Sequence, residues 1–579
     1  MHFSLALAQF SAAAALQVVY PAPQHETTTE QIFLIGTAPV QGTVTVNGQP
    51  IRRSPRGHFA QSFPLTPGKN TFTLEFTAPQ ATAQTQTIVV TRVSSQPEPP
   101  NQLAFVADSL YPNFLVSRLP GEPICFEAIA PVGATVTASL AGKMTPLQPE
   151  EGVLSADKFG ILAGRIEAAR SSGRYRGCTT IVGSGKPSYE LRWQDKTLTQ
   201  SATGTIERLD PERLPIVEVT APFGVTRTGS TTDFARLTPL PKGTQAQVTG
   251  QDGDWWRLNY GAGNQVWMKR SETQVLRQSS VPLRSSIRGV TSQTDASWTE
   301  VRFPLEHPMP FTITQRDRTL SLTLHNTVSQ SDIIKLVQNP AIDRITWQQL
   351  NPDTLNYTLH FKTQHQWGYK TRYEGNKLIL SVKNPPTPRT LAQPLAGRTI
   401  LLDAGHGGPD DAGARGPGGI PEKDVTLVVT KQLRDRLVAK GAKVIMTREA
   451  DVDLGPNERA AMVNQSEPDL ALSLHYNALP DNGNAEKTKG ISVFWFHDQA
   501  QPFAQFMHDH LTQSLKRSSD GVFWNNLAVT RPHVAPSVLL ELGYMIHPEE
   551  YEWIINPQEQ ARLTESLAIG IETWFKTVR

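Results

Sequence analysis

The pattern of the chain changes once, near residue 390. After that point apolar runs alternate with helical patterns. "RTILLDAG", "AKVIMTR", "PDLALSLH", "GISVFWF" and "PSVLLELG" predict strands. Between them "EKDVTLVVTKQLRDRLVAKG", "GPNERAAMVNQS" and "QAQPFAQFMHDHLTQSLKRS" predict helices, the first closed by Gly441 in the position of a left-handed cap. Parallel strands need crossover connections, and helices supply them. This rhythm therefore predicts a twisted, mostly parallel sheet covered on both faces, an α/β three-layer domain over 397–579.

Before the change, the chain reads as short alternating runs cut by turn residues, the period of half-buried strands. Residues 18–95 predict a β-sandwich-like domain, with Asn47-Gly48 as a two-residue hairpin turn. A second β-rich domain is expected over 102–210, after the linker "SSQPEPPNQ". Within 214–276, "VTRTGS", "PLPKGTQAQVTGQDGDWWRL" and "VWMKRSETQVL" resemble a bacterial SH3-like barrel. Of Trp255, Trp256 and Trp267, one or two are expected to be core, because so small a barrel needs large residues inside; the other reading is ligand-facing aromatics. Residues 280–386 alternate strictly and form a further β-rich unit, followed by a Pro-rich linker over 387–396.

Composition narrows the class. Across 579 residues the net charge is +2, with no long Lys/Arg run, which argues against nucleic acid as a partner. No apolar run reaches the length of a membrane-spanning helix. Residues 1–17, "MHFSLALAQFSAAAALQ", resemble a secretory signal with small residues near Ala13 to Ala15, although no Lys or Arg precedes the apolar stretch. The two cysteines, Cys125 and Cys178, are either a disulfide, favoured in an oxidising compartment, or two buried thiols. Neither has a CxxC partner for a structural zinc site.

The chemistry concentrates at strand ends. In an open α/β sheet, ligands bind outside the carboxyl ends of the strands. His406 lies just past "ILLDAG", His475 ends "LALSLH", Glu541 ends "SVLLE", and Glu422 opens the first helix. Two imidazoles and one carboxylate make a three-ligand zinc set with an open fourth position, the arrangement of a catalytic site. Glu541 beside them is a general base for an attacking water. The glycines around His406 let the backbone turn sharply and let a loop bring Glu422 back toward His406. Of the other histidines, His508 and His510 are read as solvated, His497 as near the groove, His533 as a candidate cleft residue and His547 as a loop residue.

"LDAGHGG", "PEKDVTLVV", "TREADVDLGPNERAAMVN", "SLHYNA" and "PSVLLELGYM", in that order, resemble the zinc-dependent N-acetylmuramoyl-L-alanine amidases. The resemblance covers the last 180 residues or so. It implies one zinc ion on His406, Glu422 and His475, with Glu541 as the catalytic carboxylate. It also implies Asn477 and Arg531 as substrate-binding or supporting residues, and Arg448 and Arg459 as structural salt-bridge residues. The 280–386 unit loosely resembles the wall-targeting β-domain that often precedes such enzymes. The implied partner is peptidoglycan, in an extracytoplasmic location, the periplasm; divisome or wall-remodelling partners are not specified. Some relatives carry a long inhibitory helix between the second His and the catalytic Glu. The 66 positions from His475 to Glu541 leave no room for it, so an open site is expected. Two other readings stay open here: a zinc peptidase cutting within the stem peptide, and a non-catalytic wall-binding protein.

Overall fold

The computed structural model describes residues 15–79, 82–94, 98–150, 173–261, 263–386 and 392–578. The first unit is a sandwich of a three-stranded and a five-stranded sheet. Asn47 and Gly48 both adopt positive φ, 50° and 78°, as a twisted two-residue hairpin turn requires. The strand Gln31–Thr37, "QIFLIGT", is buried on both faces. Alternation sends Ile32 and Leu34 into the sandwich core and turns Phe33 and Ile35 outward, against Tyr544 and Ile546 of the last domain. Burying side chains of this size contributes about 1.5–3 kcal/mol each. Residues 1–14 of the signal-like segment lie outside the described residues. Its end belongs to the sandwich: the Leu16 amide donates to Gln84 Oε1 at 2.7 Å, and Gln17 begins the first strand.

The next units are not separate along the expected boundaries. Most of 102–210 forms a six-stranded antiparallel sheet in which Cys125 faces Cys178, and the two are disulfide-bonded. Its strands Leu115–Arg118 and Thr205–Arg208 instead join the sheet of the 214–276 unit, beside Gln245–Asp252. Arg118–Asp252 and Arg257–Glu122 ion pairs, each 2.5 Å, stitch the same seam. One apolar core then runs from Val217 through Val382, so 214–276 and 280–386 share their interior. Of the three tryptophans, Trp256 packs against this core, and none is fully buried. Each is half-buried with a cation over its ring: Lys269 on Trp255, Arg270 on Trp256 and Arg118 on Trp267.

The last domain has the expected rhythm. Its sheet contains Thr399–Ala404, Lys443–Met446, Leu470–Asn477, Ile491–Trp495, Ser519–Trp524 and Ser537–Tyr544. The strands from Lys443 through Thr399 and Leu470 to Ser537 are parallel neighbours, and Ile491–Trp495 pairs antiparallel with Ser537–Tyr544. Helices Glu422–Ala439, Gln501–Leu515 and Pro557–Thr577 contribute to one large core with this sheet. Val463 of helix Pro456–Ser466 packs with Leu401, Ala471 and Val534 in a separate cluster that includes Trp298 of the preceding β-unit. Residues 387–391 of the Pro-rich linker lie outside the described residues. Leu395, near its end, is fully buried in the core of the last domain. No described helix is long and apolar enough to cross a membrane.

Candidate metal and catalytic centre

Three parallel strands deliver the site. His406 follows Thr399–Ala404, His475 and Asn477 end Leu470–Asn477 on one face, and Glu541 stands beside His475 in the next strand. Glu422 is the first residue of its helix, after Pro421. His406 adopts a left-handed φ of 60°, a conformation costly for a non-glycine residue and typical of functional sites. The chain holds it there by its carbonyls. Arg459 bonds the carbonyls of Ala404 and His406, and Arg448 those of Ala404, Gly405 and Lys423. Arg459 also pairs with buried Asp403 at 2.6 Å, whereas Arg448 makes no ion pair among the described residues and works through carbonyls.

The glycines of this loop are close-approach positions. A Cβ at Gly405 would overlap the His475 imidazole, and one at Gly413 would meet Glu422 Oε2 and the His406 ring. Bulk at either would push the site apart.

The donors converge. Glu422 Oε2 lies 3.1 Å from His406 Nε2, and its Oε1 lies 3.1 Å from His475 Nδ1. The Glu422 side chain is only 3% exposed, and among the described residues its ion-pair partners are the two imidazoles. The amides of Ala414 and Tyr476 also donate to it. Burial would raise its pKa, but the two histidines hold it down at about 2. Burial would likewise lower His406, yet Glu422 and Asp411 raise it to about 9. Such a site calls for positive charge between its donors, and His₂Glu donors within 4.8 Å of one another fit a zinc ion. Asp411 Oδ1, 2.6 Å from His406 Nδ1, fixes the ring so that Nε2 faces inward. Glu541 Oε2 is sealed from solvent without a hydrogen-bond partner. Burial first, then the charges of Glu422 and Asp520, raise this carboxyl well above its ordinary range.

Several expected residues lie elsewhere. Arg531 precedes the strand Ser537–Tyr544, in which Glu541 is the fifth residue. Four strand residues, about 13 Å, separate Ser537 from Glu541. The Arg531 guanidinium bonds Asn526, its carbonyl meets His497 Nε2, and burial with Arg236 and Arg227 lowers its pKa to about 10. His497 and His533 lie at the same remote end. Both are packed with Tyr369, and burial lowers them to about 4 and about 3. His508 is buried rather than solvated, facing Ser519 at 2.9 Å, and His510 is half-buried against the Ser566 carbonyl. His547 caps helix Pro548–Ile554. Between Asn477 and Ile491 the chain carries no helix, and the His406 side chain stays 25% exposed, whereas that of Glu422 is 3% exposed. The sequence reading did not single out Asp411, nor Asp403, whose carboxylate also accepts from Thr447 and Ser473.

A family model described as N-acetylmuramoyl-L-alanine amidase matches residues 400–573, and one described as a cadherin-like beta sandwich domain matches 12–93. The germination-specific N-acetylmuramoyl-L-alanine amidase of Bacillus subtilis is 34% identical over 199 residues, 31% of this chain and 81% of that protein. The chain belongs to the N-acetylmuramoyl-L-alanine amidase family. The probable cell wall amidase LytH of Staphylococcus epidermidis is 34% identical over 197 residues, 34% of this chain and 64% of that protein. The solved N-acetylmuramoyl-L-alanine amidase from Clostridium difficile 630 is 29% identical, covering 31% of this chain and 98% of that one, with a TM-score of 0.30. The match to the Bacillus protein fills most of that relative and falls in the amidase domain, leaving the β-rich two thirds of this chain outside it.

Proposed function

We propose that the amidase domain hydrolyses the amide joining the lactyl group of N-acetylmuramic acid to the L-alanine of the stem peptide in peptidoglycan, with one zinc ion held by His406, Glu422 and His475. The observation that carries this is the buried Glu422 carboxylate between two imidazoles, with a partnerless Glu541 oxygen beside them. When bound, the ion supplies Lewis acidity, which lowers the pKa of a water and polarises the amide carbonyl.

The chain's own groups do the rest. Glu541 takes the proton of the attacking water and passes it to the leaving L-alanine nitrogen. Its raised proton affinity suits a group that must take a proton and give it up. Asp411 orients His406, and Asn477, on the face of His475 and half-buried, is a substrate-contacting residue. Arg531 has no part in this reading. The products are a lactyl carboxylate and a free L-alanine amine, so the atoms of one water are accounted for.

The substrate implies an extracytoplasmic location, and the signal-like segment points to the periplasm. The β-rich units, with the SH3-like 214–276 among them, serve as wall-binding modules.

The test is mass spectrometry of purified peptidoglycan after digestion with added zinc, with chelator, and with Glu541→Gln. Stem peptides with a free L-alanine amine are expected with zinc and absent with chelator. Glu541→Gln should lose about 10²–10⁴-fold in rate with zinc content unchanged. Cuts elsewhere in the stem peptide would make the enzyme a peptidase instead. Firm wall binding without products would make it a binding protein.

A further inference from the structure

The N-terminal sandwich packs against the segments that follow two of the site's strands, Leu470–Asn477 and Ser537–Tyr544, and comes close to the loop that follows Thr399–Ala404. At the loop after Thr399–Ala404, a Cβ on Gly419 would sit 3.8 Å from Gln17 Nε2. At the loop after Leu470–Asn477, the Asp481 carboxylate receives the Tyr20 hydroxyl and lies 3.0 Å from His25 Nε2. Gln31 Nε2 donates to the Asn482 carbonyl, and Ser62 Oγ to that of Gly483 at 3.3 Å. Beyond Ser537–Tyr544, Phe33, Ile35 and Ala60 bury Tyr544 and Ile546. The His58 ring stands edge-on to Tyr551 at 5.1 Å, and the Arg56 amide donates to Glu552. Tyr551 in turn underlies Gly416 and Gly418, in the loop that returns to Glu422.

These contacts are apolar at the centre and polar around it, as in a built interface. All of the polar ones but the Arg56–Glu552 contact end on 481–483, four to six residues from Asn477. Four residues of extended chain reach about 14 Å at most. A substrate lying across the metal site toward this side therefore comes within reach of the sandwich, and a polymeric strand has more length to lay against it than a single muramoyl-peptide.

We infer that the N-terminal sandwich is a fixed wall of the catalytic cleft. Through Tyr20 and His25 on Asp481 it positions the 478–490 loop for polymeric peptidoglycan, and it is not a module swinging on a tether. The kinetic side of this inference rests on the amidase reading; the structural side does not.

The experiment uses the full chain, with Asp481→Ala, the conservative Asp481→Asn, and Tyr20→Phe. The last keeps the ring on Phe33 and removes only the hydroxyl, so it carries the test if Asp481→Ala fails to fold. Hydrogen exchange should rise in 478–490 and 17–31 and stay unchanged in 399–404 and 470–477. KM for polymeric peptidoglycan should rise about tenfold, the size of one charge-assisted contact. The kcat, and both constants for a soluble muramoyl-peptide, should hold, with Asp481→Asn restoring part of the loss. Unchanged exchange would overturn the clamp, and unchanged KM would overturn the wall. A rise in kcat would make the sandwich an inhibitory cover instead. Inactivity of the wild type on both substrates would overturn the amidase reading and leave the exchange result standing.

Discussion

The amidase domain and the β-rich two thirds hold themselves together in different ways. In the amidase domain the decisive contacts are buried and polar. Asp403 gathers Arg459, Thr447 and Ser473, and Arg459 and Arg448 in turn grip the carbonyls that set His406 in place. In the β-rich part the decisive contacts are strand pairings and a shared apolar core, and both cross unit boundaries. Strands of 102–210 join the sheet of 214–276, and one core continues to Val382. A polar network fixes a few atoms with high geometric specificity but is costly if one partner goes. A shared core spreads its stabilisation over many small contacts. The catalytic geometry therefore hangs on single residues, while the β-rich part tolerates single changes and depends on its pairings.

Removing one partner of the buried network tests this most severely. Asp403→Asn leaves the Arg459 charge unpaired and should cost about 3–5 kcal/mol, seen as an earlier denaturant midpoint. The pH dependence has a definite sign. Burial would raise the Asp403 carboxyl, but Arg459, His475 and the Ser473 and Thr447 hydroxyls outweigh it, and its pKa lies below the ordinary value. A depressed carboxyl contributes its full stability above the unfolded pKa of about 3.9 and loses it as pH falls through the lower folded value. Wild type should thus lose stability in acid over that window, and Asp403→Asn should show less of this loss. Equal acid profiles would mean that the network does not hold the domain.

The matching test on the other side is reduction of Cys125–Cys178. The bond closes a loop with a sequence separation of 53, and opening it should cost the 102–210 unit about 4 kcal/mol by the chain-entropy relation. Hydrolysis of a soluble muramoyl-peptide should not change. If it does, the exchanged strands carry strain through to the site, and the contrast between the two regions fails.

Smaller effects probe the support of the metal. Asp411→Ala leaves all three donors in place and removes the partner of His406 Nδ1. It should weaken zinc binding about 10–100-fold, read by chelator competition, without unfolding the protein. Unchanged affinity would assign the tautomer of His406 to some other contact.

How far the sequence spoke follows the same division. The apolar strands of the amidase domain were legible because each is a short apolar run bounded by polar or turn residues. The edge strand Ser519–Trp524, "SDGVFW", was not named, since Asp520 and Gly521 break its alternation. Helix Pro557–Thr577 was also passed over, although Asn556 as its cap and Leu563, Leu567 and Ile571 at helical spacing mark it. In the β-rich part individual strands were legible and their partners were not. Nothing local in Leu115–Arg118 says that it lies beside Gln245–Asp252, a pairing made across more than a hundred residues. His508 was misread for a related reason: its helix face looks polar, and the Ser519 strand covers it.

The four central residues were legible because His406 follows an apolar run, Glu422 opens a helix, and His475 and Glu541 close apolar runs whose strands go on to Asn477 and Tyr544. Arg531 shows where that logic stops. It stands close in sequence to Glu541, but a strand lies between them, and a strand carries its two ends to opposite edges of the sheet. At its own edge the guanidinium is tied to Asn526, near Arg227 and Arg236, with no carboxylate ion-paired to it among the described residues. Arg531→Gln should therefore change kcat and KM less than twofold on a soluble muramoyl-peptide, within the range of substitutions away from a site. It should relieve crowding among three like charges, so stability should hold or rise slightly, checked by denaturation beside wild type. A large loss of kcat with the fold intact would mean that the remote edge reaches the metal centre after all, and would erase the distinction between the two ends of the sheet on which the placement of the site rests.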